Sequence, residues 1–259
     1  MIVIPDYLKY LIVCPLALIA GFIDSIAGGG GLISLPAYLL VGLPPHNAIA
    51  TNKLSSTMGI AVATARYAKE GYILWKIAIV CAAAAIAGST AGARLSLMID
   101  DSVLKTVMLF LIPLTAAVVL KSKGITEEAG EPLSFGKTMA ISTAVALIIG
   151  CYDGFYGPGA GTFLILALTL LARLNLRTAN GITKVINFSS NAGALAIYIA
   201  NGKTVFPLGL AAGVFGITGN WLGSKVFTEK GAGAAKPVML TVLVIFFFKT
   251  LFELLGWIS

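Results

Sequence analysis

Two aspartates, Asp24 and Asp153, and two lysines, Lys53 and Lys184, lie inside apolar stretches of this chain. Each aspartate stands four residues ahead of a glycine cluster: Gly28, Gly29, Gly30 and Gly31 in AGGGGLIS, and Gly157, Gly159 and Gly161 in YGPGAGTF. Four residues is about one helical turn, so each carboxylate and its cluster belong to one helix end. Glycine lets a ligand approach the main chain closely. The helix that starts after each cluster has the positive end of its dipole there, and free N–H groups at such an end bind anions. The other reading is that the glycines serve close helix packing, as small residues do in membranes.

A lysine deep in a membrane helix costs at least about 2.5 kcal/mol. It therefore needs a partner, a water-filled cavity, or a route for its amine to the interface. Both lysines keep polar company: Asn52, Ser55 and Ser56 beside Lys53, and Thr183, Asn187 and Asn191 beside Lys184. Asn and Ser side chains can hydrogen-bond the oxygens of an anion while a lysine balances its charge. The candidate binding set is thus Gly28, Gly29, Gly30, Gly31, Asn52, Lys53, Ser56, Gly157, Gly159, Gly161, Lys184, Asn187 and Asn191. Asp24 and Asp153 either pair with the lysines or take up and release a coupled proton.

The composition gives these residues their setting. Of 259 residues, 58% are hydrophobic and 11% charged, and the mean hydropathy is +0.95. A soluble domain carries about 25% charged residues, and a disordered chain needs low hydrophobicity. An all-α polytopic membrane protein is the class that fits. The net charge of +7 implies no nucleic-acid partner, because the basic residues form no patch interleaved with aromatics. They fall between apolar runs, so the expected partner is the lipid bilayer. Cys14, Cys81 and Cys151 each sit alone in an apolar run, and the chain has one histidine and no CxxC. No metal, cofactor or catalytic residue is expected on that basis. His46, which follows two prolines, reads as a loop residue, and Trp75, Trp221 and Trp257 as interfacial anchors. Glu127, Glu128 and Glu131 form a solvated linker face.

The chain is written twice. GFIDSIAGGGG (21–31) overlays GCYDGFYGPGA (150–160), so that Gly21, Asp24, Gly28 and Gly30 meet Gly150, Asp153, Gly157 and Gly159. Further on, LPPHNAIATNK (43–53) overlays LNLRTANGITK (174–184), and Lys53 meets Lys184. The register continues through Tyr67 on Tyr198, Gly88 on Gly219 and Gly92 on Gly223. The repeats span 1–120 and 138–259, joined by a polar linker at 121–137. The stretch after Lys9, LIVCPLALIA, looks like a signal-peptide core, but it recurs in the second half and is kept as structure.

Each repeat divides into five apolar segments: 8–27, 31–42, 48–68, 73–97 and 102–120, then 138–156, 160–172, 178–200, 204–226 and 236–257. A spanning helix needs about 20 residues, so the second segment of each repeat is too short. With the first it forms a glycine-tipped hairpin that returns to its own side, leaving three spanning helices per repeat. This odd number of crossings puts eleven basic side chains on one side and four on the other, with Lys53, Lys184 and Lys249 inside apolar segments. The positive-inside rule then puts the linker in the cytoplasm and both termini outside. An odd count also inverts the second repeat relative to the first, a plan of secondary transporters whose substrate site lies near the midplane.

With GFIDSIAGGGGLISLPAYLLVGLPPHNAIATNK, GPGAGTF and ANGITKVINFSSNAG in view, nearly the whole chain resembles the TauE/SafE family of sulfite-exporter-like membrane permeases. The resemblance implies a bacterial or archaeal inner-membrane protein that moves sulfite, thiosulfate, sulfonates or related organosulfur anions. It leaves the particular anion, the direction, the coupling ion and the oligomeric state open. The second copy carries GPGAG where the first has GGGG. The expected function is a secondary permease for small sulfur-containing anions, coupled to protons. Its rivals are a membrane-embedded enzyme or relay, with Cys151 as the nucleophile, and a passive anion channel.

Overall fold

The computed structural model describes residues 5–104, 106–108 and 131–230. Among the described residues all regular secondary structure is helical. The chain runs through α1 (Asp6–Ala27), α2 (Gly31–Leu40), α3 (Pro45–Lys69) and α4 (Trp75–Leu97), then α5 (Phe135–Phe155), α6 (Ala160–Leu170), α7 (Leu176–Ala200) and α8 (Phe206–Lys230). Most of the expected segment 102–120, the segment 236–257 with Lys249 and Trp257, and the linker up to residue 130 lie outside the described residues.

Local chemistry sets the helix ends. α1 starts after Pro5, and Lys9 meets Asp6 on its first turn at 2.9 Å. It stops because Gly28 turns left-handed at φ 77° and donates its N–H to the Asp24 carbonyl at 2.8 Å. The second tip uses Gly157 and Gly159, at φ 106° and 82°, to turn from α5 into α6. A left-handed φ is nearly free for glycine and costly for other residues. Asn175 caps α7, its Oδ1 accepting the Thr178 N–H at 2.9 Å.

Among the described residues, α1, α4 and α5 are long and apolar enough to cross a membrane. The tip helices α2 and α6 have 10 and 11 residues; at 1.5 Å rise each covers roughly half of a ~30 Å hydrocarbon core. α3, α7 and α8 reach 25 residues each but carry more polar side chains. On α3 and α7 that polarity turns inward, with Lys53 and Lys184 1% and 0% exposed. The outside is apolar instead: Leu11 on α1, Ile79 on α4 and Ile148 on α5 are each more than 60% exposed, as a lipid-facing surface requires.

The packing is reciprocal between halves. α1 packs on α8, and α5 packs on α4; α3 meets α8, and α7 meets α4; α3 and α7 meet each other. Glycines make the long crossings close. Gly219 and Gly223 of α8 face the backbone at Leu18 and Phe22, while their register partners Gly88 and Gly92 of α4 face the backbone at Leu147 and Cys151. Small residues at such crossings let helix backbones approach in lipid. A side chain there has nowhere to go: a Cβ on Gly92 would meet the Cys151 carbonyl, with the Phe155 nitrogen at 2.8 Å. Gly92→Val should therefore lower the thermal stability of the detergent-solubilised protein by at least about 1–3 kcal/mol. Gly136→Ala, where a Cβ meets nothing within 4 Å, should be neutral or gain up to about 1 kcal/mol. Equal melting curves for the two variants would contradict the close crossing.

Candidate functional site

The site forms where the two tips touch. The Gly28 main chain lies against Gly161 and Thr162, and a Cβ on Gly161 would come within 2.5 Å of the Gly28 carbonyl oxygen. The last turn of α1 is held by side chains from elsewhere. Ser25 offers its carbonyl to the Tyr67 hydroxyl at 2.7 Å, and Asn180 Nδ2 donates to the Ser25 and Ile26 carbonyls at 3.3 and 3.2 Å. The Thr162 hydroxyl donates to the Ala27 carbonyl at 2.9 Å. A helix C-terminus leaves its carbonyls without partners, and inside a membrane no bulk water reaches them, so these donors make an internal helix end tolerable. Sequence reasoning missed Tyr67, Thr162 and Asn180. Asn180 and Thr162 stand inside the quoted motifs ANGITK and GPGAGTF, and a polar residue in an apolar run was the available signal.

The charged residues pair across the halves. Lys53 Nζ meets Asp153 Oδ1 at 2.7 Å, and Lys184 Nζ meets Asp24 Oδ2 at 3.1 Å while also donating to the Asp24 carbonyl. Asp153 Oδ2 further accepts from the Ser190 hydroxyl and from Asn191 Nδ2 at 3.4 Å. Both pairs are internal, with lysine side chains 2% and 0% exposed. Each lysine takes its aspartate from the other half.

Between the tips lies a pocket with about 340 Å³ of empty space, part of it open to solvent. Twelve of the fifteen residues singled out in the sequence line it: Asp24, Gly28, Gly31, Asn52, Lys53, Ser56, Asp153, Gly157, Gly159, Gly161, Asn187 and Asn191. Gly29, Gly30 and Lys184 are outside the lining, and Lys184 reaches it through its bond to Asp24. Among the described residues the backbone N–H groups of Gly31, Gly157, Gly159 and Gly161 have no acceptor. The N-termini of α2 and α6 both border the pocket, so two positive dipole ends converge on it. Asn52 and Asn187 each leave a buried amide oxygen unpaired. An unmet buried polar group costs about 1–3 kcal/mol, which a hydrogen-bond donor such as water would relieve.

The structure corrects the reading of His46. α3 begins at Pro45 rather than at residue 48, so His46 falls in its first turn and is 4% exposed. Its Nδ1 lies 2.6 Å from Asp101 Oδ1 and its Nε2 2.8 Å from the Ser96 carbonyl, tying the start of α3 to the end of α4. Trp75 and Trp221 are half-exposed, as anchors would be, and Arg66 sits 5.8 Å over the Trp221 ring. Cys151 lies at the α4–α5 crossing, outside the pocket lining. Among the described residues no three His, Cys, Asp or Glu side chains group as metal ligands.

Comparison with known proteins adds the lineage. The family model described as sulfite exporter TauE/SafE matches residues 13–250. The chain belongs to the TauE/SafE family. A probable membrane transporter protein of Sinorhizobium, ORF9, is 36% identical over 230 residues, covering 88% of this chain and 87% of the relative. The Escherichia coli K12 probable membrane transporter protein YfcA is 33% identical over 248 residues, 94% of this chain and 91% of its own. A Haemophilus influenzae probable membrane transporter protein is 32% identical, with 92% of each chain covered. No solved structure matches the chain. This TauE/SafE protein is thus a membrane protein of a transporter family.

The pairs make a stability prediction. Removing one partner of a buried pair leaves an uncompensated charge at a cost of about 3–5 kcal/mol. Lys53→Met should therefore lower the melting temperature sharply. Lys53→Met combined with Asp153→Asn should recover part of the loss. Additive losses in that double-mutant cycle would show that the two groups do not interact.

Proposed function

We propose that this TauE/SafE protein is a secondary transporter for small sulfur-containing anions such as sulfite, thiosulfate or organosulfonates. The observation that carries the reading is the set of unpaired glycine N–H groups at two facing helix N-termini, around a pocket of ionic size. Because Lys53 is paired with Asp153, it adds a neutralised dipole to the wall rather than a free cation. The N–H groups then carry the recognition, with the amides of Asn52, Asn187 and Asn191 completing the ring. An anion held by main-chain donors binds reversibly, as a carrier needs, whereas a free buried lysine would hold it too tightly.

The reading includes two inverted repeats, 1–120 and 138–259, in a prokaryotic inner membrane, with the 121–137 linker in the cytoplasm and both termini outside. The reciprocal packing of α1 on α8 and α5 on α4 supports the duplication, and the basic residues between apolar runs support the orientation. Alternating access would rock one set of helices against the other around the tips. Coupling to a proton is the simplest version, with Asp24 or Asp153 as its carrier.

Flux into proteoliposomes tests this. Sulfite, thiosulfate, a short sulfonate, sulfate and chloride should be compared with and without an imposed pH gradient. Saturable flux of a sulfur anion that follows the gradient is the expected result. Asn52→Ala with Asn187→Ala, which trims the pocket wall and leaves both ion pairs intact, should lower flux several-fold in protein that still elutes as a single species. No flux of any anion would reduce the glycine tips to packing elements, and unsaturable flux would indicate a channel.

A further inference from the structure

The two buried aspartates are register partners, yet their surroundings differ. At Asp153 every carboxylate oxygen has a donor: Lys53 on Oδ1, and Ser190 and Asn191 on Oδ2. The positions that match Ser190 and Asn191 in the first half are Gly59 and Ile60, and neither can donate from a side chain. Asp24 accordingly has Lys184 on Oδ2, and among the described residues no donor on Oδ1. Beside Ile60 there is a second cavity of about 320 Å³ of empty space, part of it open to solvent, lined by Asp24, Ser34, Ser55, Ser56, Ile60 and Asn220 among others. Asp24 and Ser56 also line the pocket between the tips.

The cavity is set with acceptors. Asn220 is 3% exposed, and its Nδ2 donates to the Gly216 carbonyl at 3.0 Å. That bond fixes the amide's orientation and leaves Oδ1 buried with no partner. The Ser34 hydroxyl donates to the Gly30 carbonyl and keeps its lone pairs free, whereas Ser55 donates to the Asn52 carbonyl and already accepts from the Tyr38 hydroxyl at 2.8 Å. The C-terminal turn of α1 and the N-terminal turn of α2 both border the cavity, and their opposed dipoles offset one another. Gly31 at its edge and Asn220 Nδ2 are donors, and the remaining polar side-chain atoms of the lining present oxygen. Carboxylate, amide carbonyl and hydroxyl oxygens together suit a hard cation. Lys184 already offsets the single carboxylate, which favours a monovalent ion over a divalent one.

We propose that this cavity is a Na⁺ site formed by Asp24 Oδ1, Asn220 Oδ1 and the neighbouring serine hydroxyls. Because Asp24 walls both cavities, the ion would add a positive charge beside the anion pocket while the Asp24–Lys184 pair stays in place. That coupling consequence rests on the transport reading above; the binding site does not.

The first test needs no anion. Binding of ²²Na⁺ to the purified full-length protein in detergent, at fixed pH, should be saturable and should be displaced by excess NaCl but not by choline chloride. Asn220→Ala removes one oxygen ligand and should weaken binding about tenfold or more. Ile60→Asn rebuilds the donor found at Asp153 and should abolish binding. Size-exclusion profiles identify variants that have misfolded, and Asn220→Ala, a reduction in size, stands as the check on Ile60→Asn. Absence of saturable binding in monodisperse protein would overturn the site, as would binding unchanged in both variants. In proteoliposomes an inward Na⁺ gradient should then drive anion uptake several-fold over choline. Na⁺ binding without flux of any sulfur anion would support the site and count against the transport reading. Saturable flux driven by a pH gradient alone, with no ²²Na⁺ binding, would keep transport and overturn the sodium site.

Discussion

Burying an ion pair costs several kcal/mol per ion before any attraction is counted, and this fold buries two, Lys53–Asp153 and Lys184–Asp24. The rest of the structure answers that cost. α3 and α7 are enclosed by the other helices because their inner faces carry the lysines. The outer helices supply the apolar surface. Donors from Tyr67, Thr162 and Asn180 complete the last turn of α1, so that Asp24 is presented at an internal helix end without unpaired carbonyls around it. Remove the pairs, and neither the polarity of α3 and α7 nor the internal tips would have a reason to exist.

On the proposed transport reading, the same constraint shapes recognition. A membrane interior offers an anion almost no solvation, and free cations in the wall would be too costly to maintain when the site is empty. Paired lysines and unpaired glycine N–H groups avoid that problem. The positive potential comes from helix ends, which stay in place whether or not the site is filled. The glycines thus do two things at once: they permit the tips to touch, as Gly28 and Gly161 do, and they leave main-chain donors open at the contact.

Much of the fold was legible in the residues. Among the described residues helix ends fall within four residues of the apolar segments, and the tip helices α2 and α6 were marked as too short to span. Glycine and proline punctuation made this possible, since they interrupt runs that are otherwise uniform. The assembly of the candidate pocket was also legible, because a polar residue in an apolar run has few reasons to be there. What could not be read was which lysine meets which aspartate: the aspartate-to-lysine spacing is nearly the same in each half, and only the packing of α3 on α7 decides it. His46 was misread for a local reason, as the PP dipeptide opened α3 earlier than the hydrophobic pattern showed. Asn220 escaped notice because one amide among the glycines of α8 carries no pattern of its own.

The exchange of partners between halves bears on how the protein is made. As the chain leaves the ribosome, the first half enters the bilayer carrying Asp24 and Lys53 while the residues that pair with them have yet to be translated. Until α5 and α7 arrive, those charges must remain in a wet or chaperoned environment. A nascent chain halted after the first half would hold uncompensated charge within the lipid, a signal by which membrane quality-control proteases can tell an unfinished molecule from a finished one.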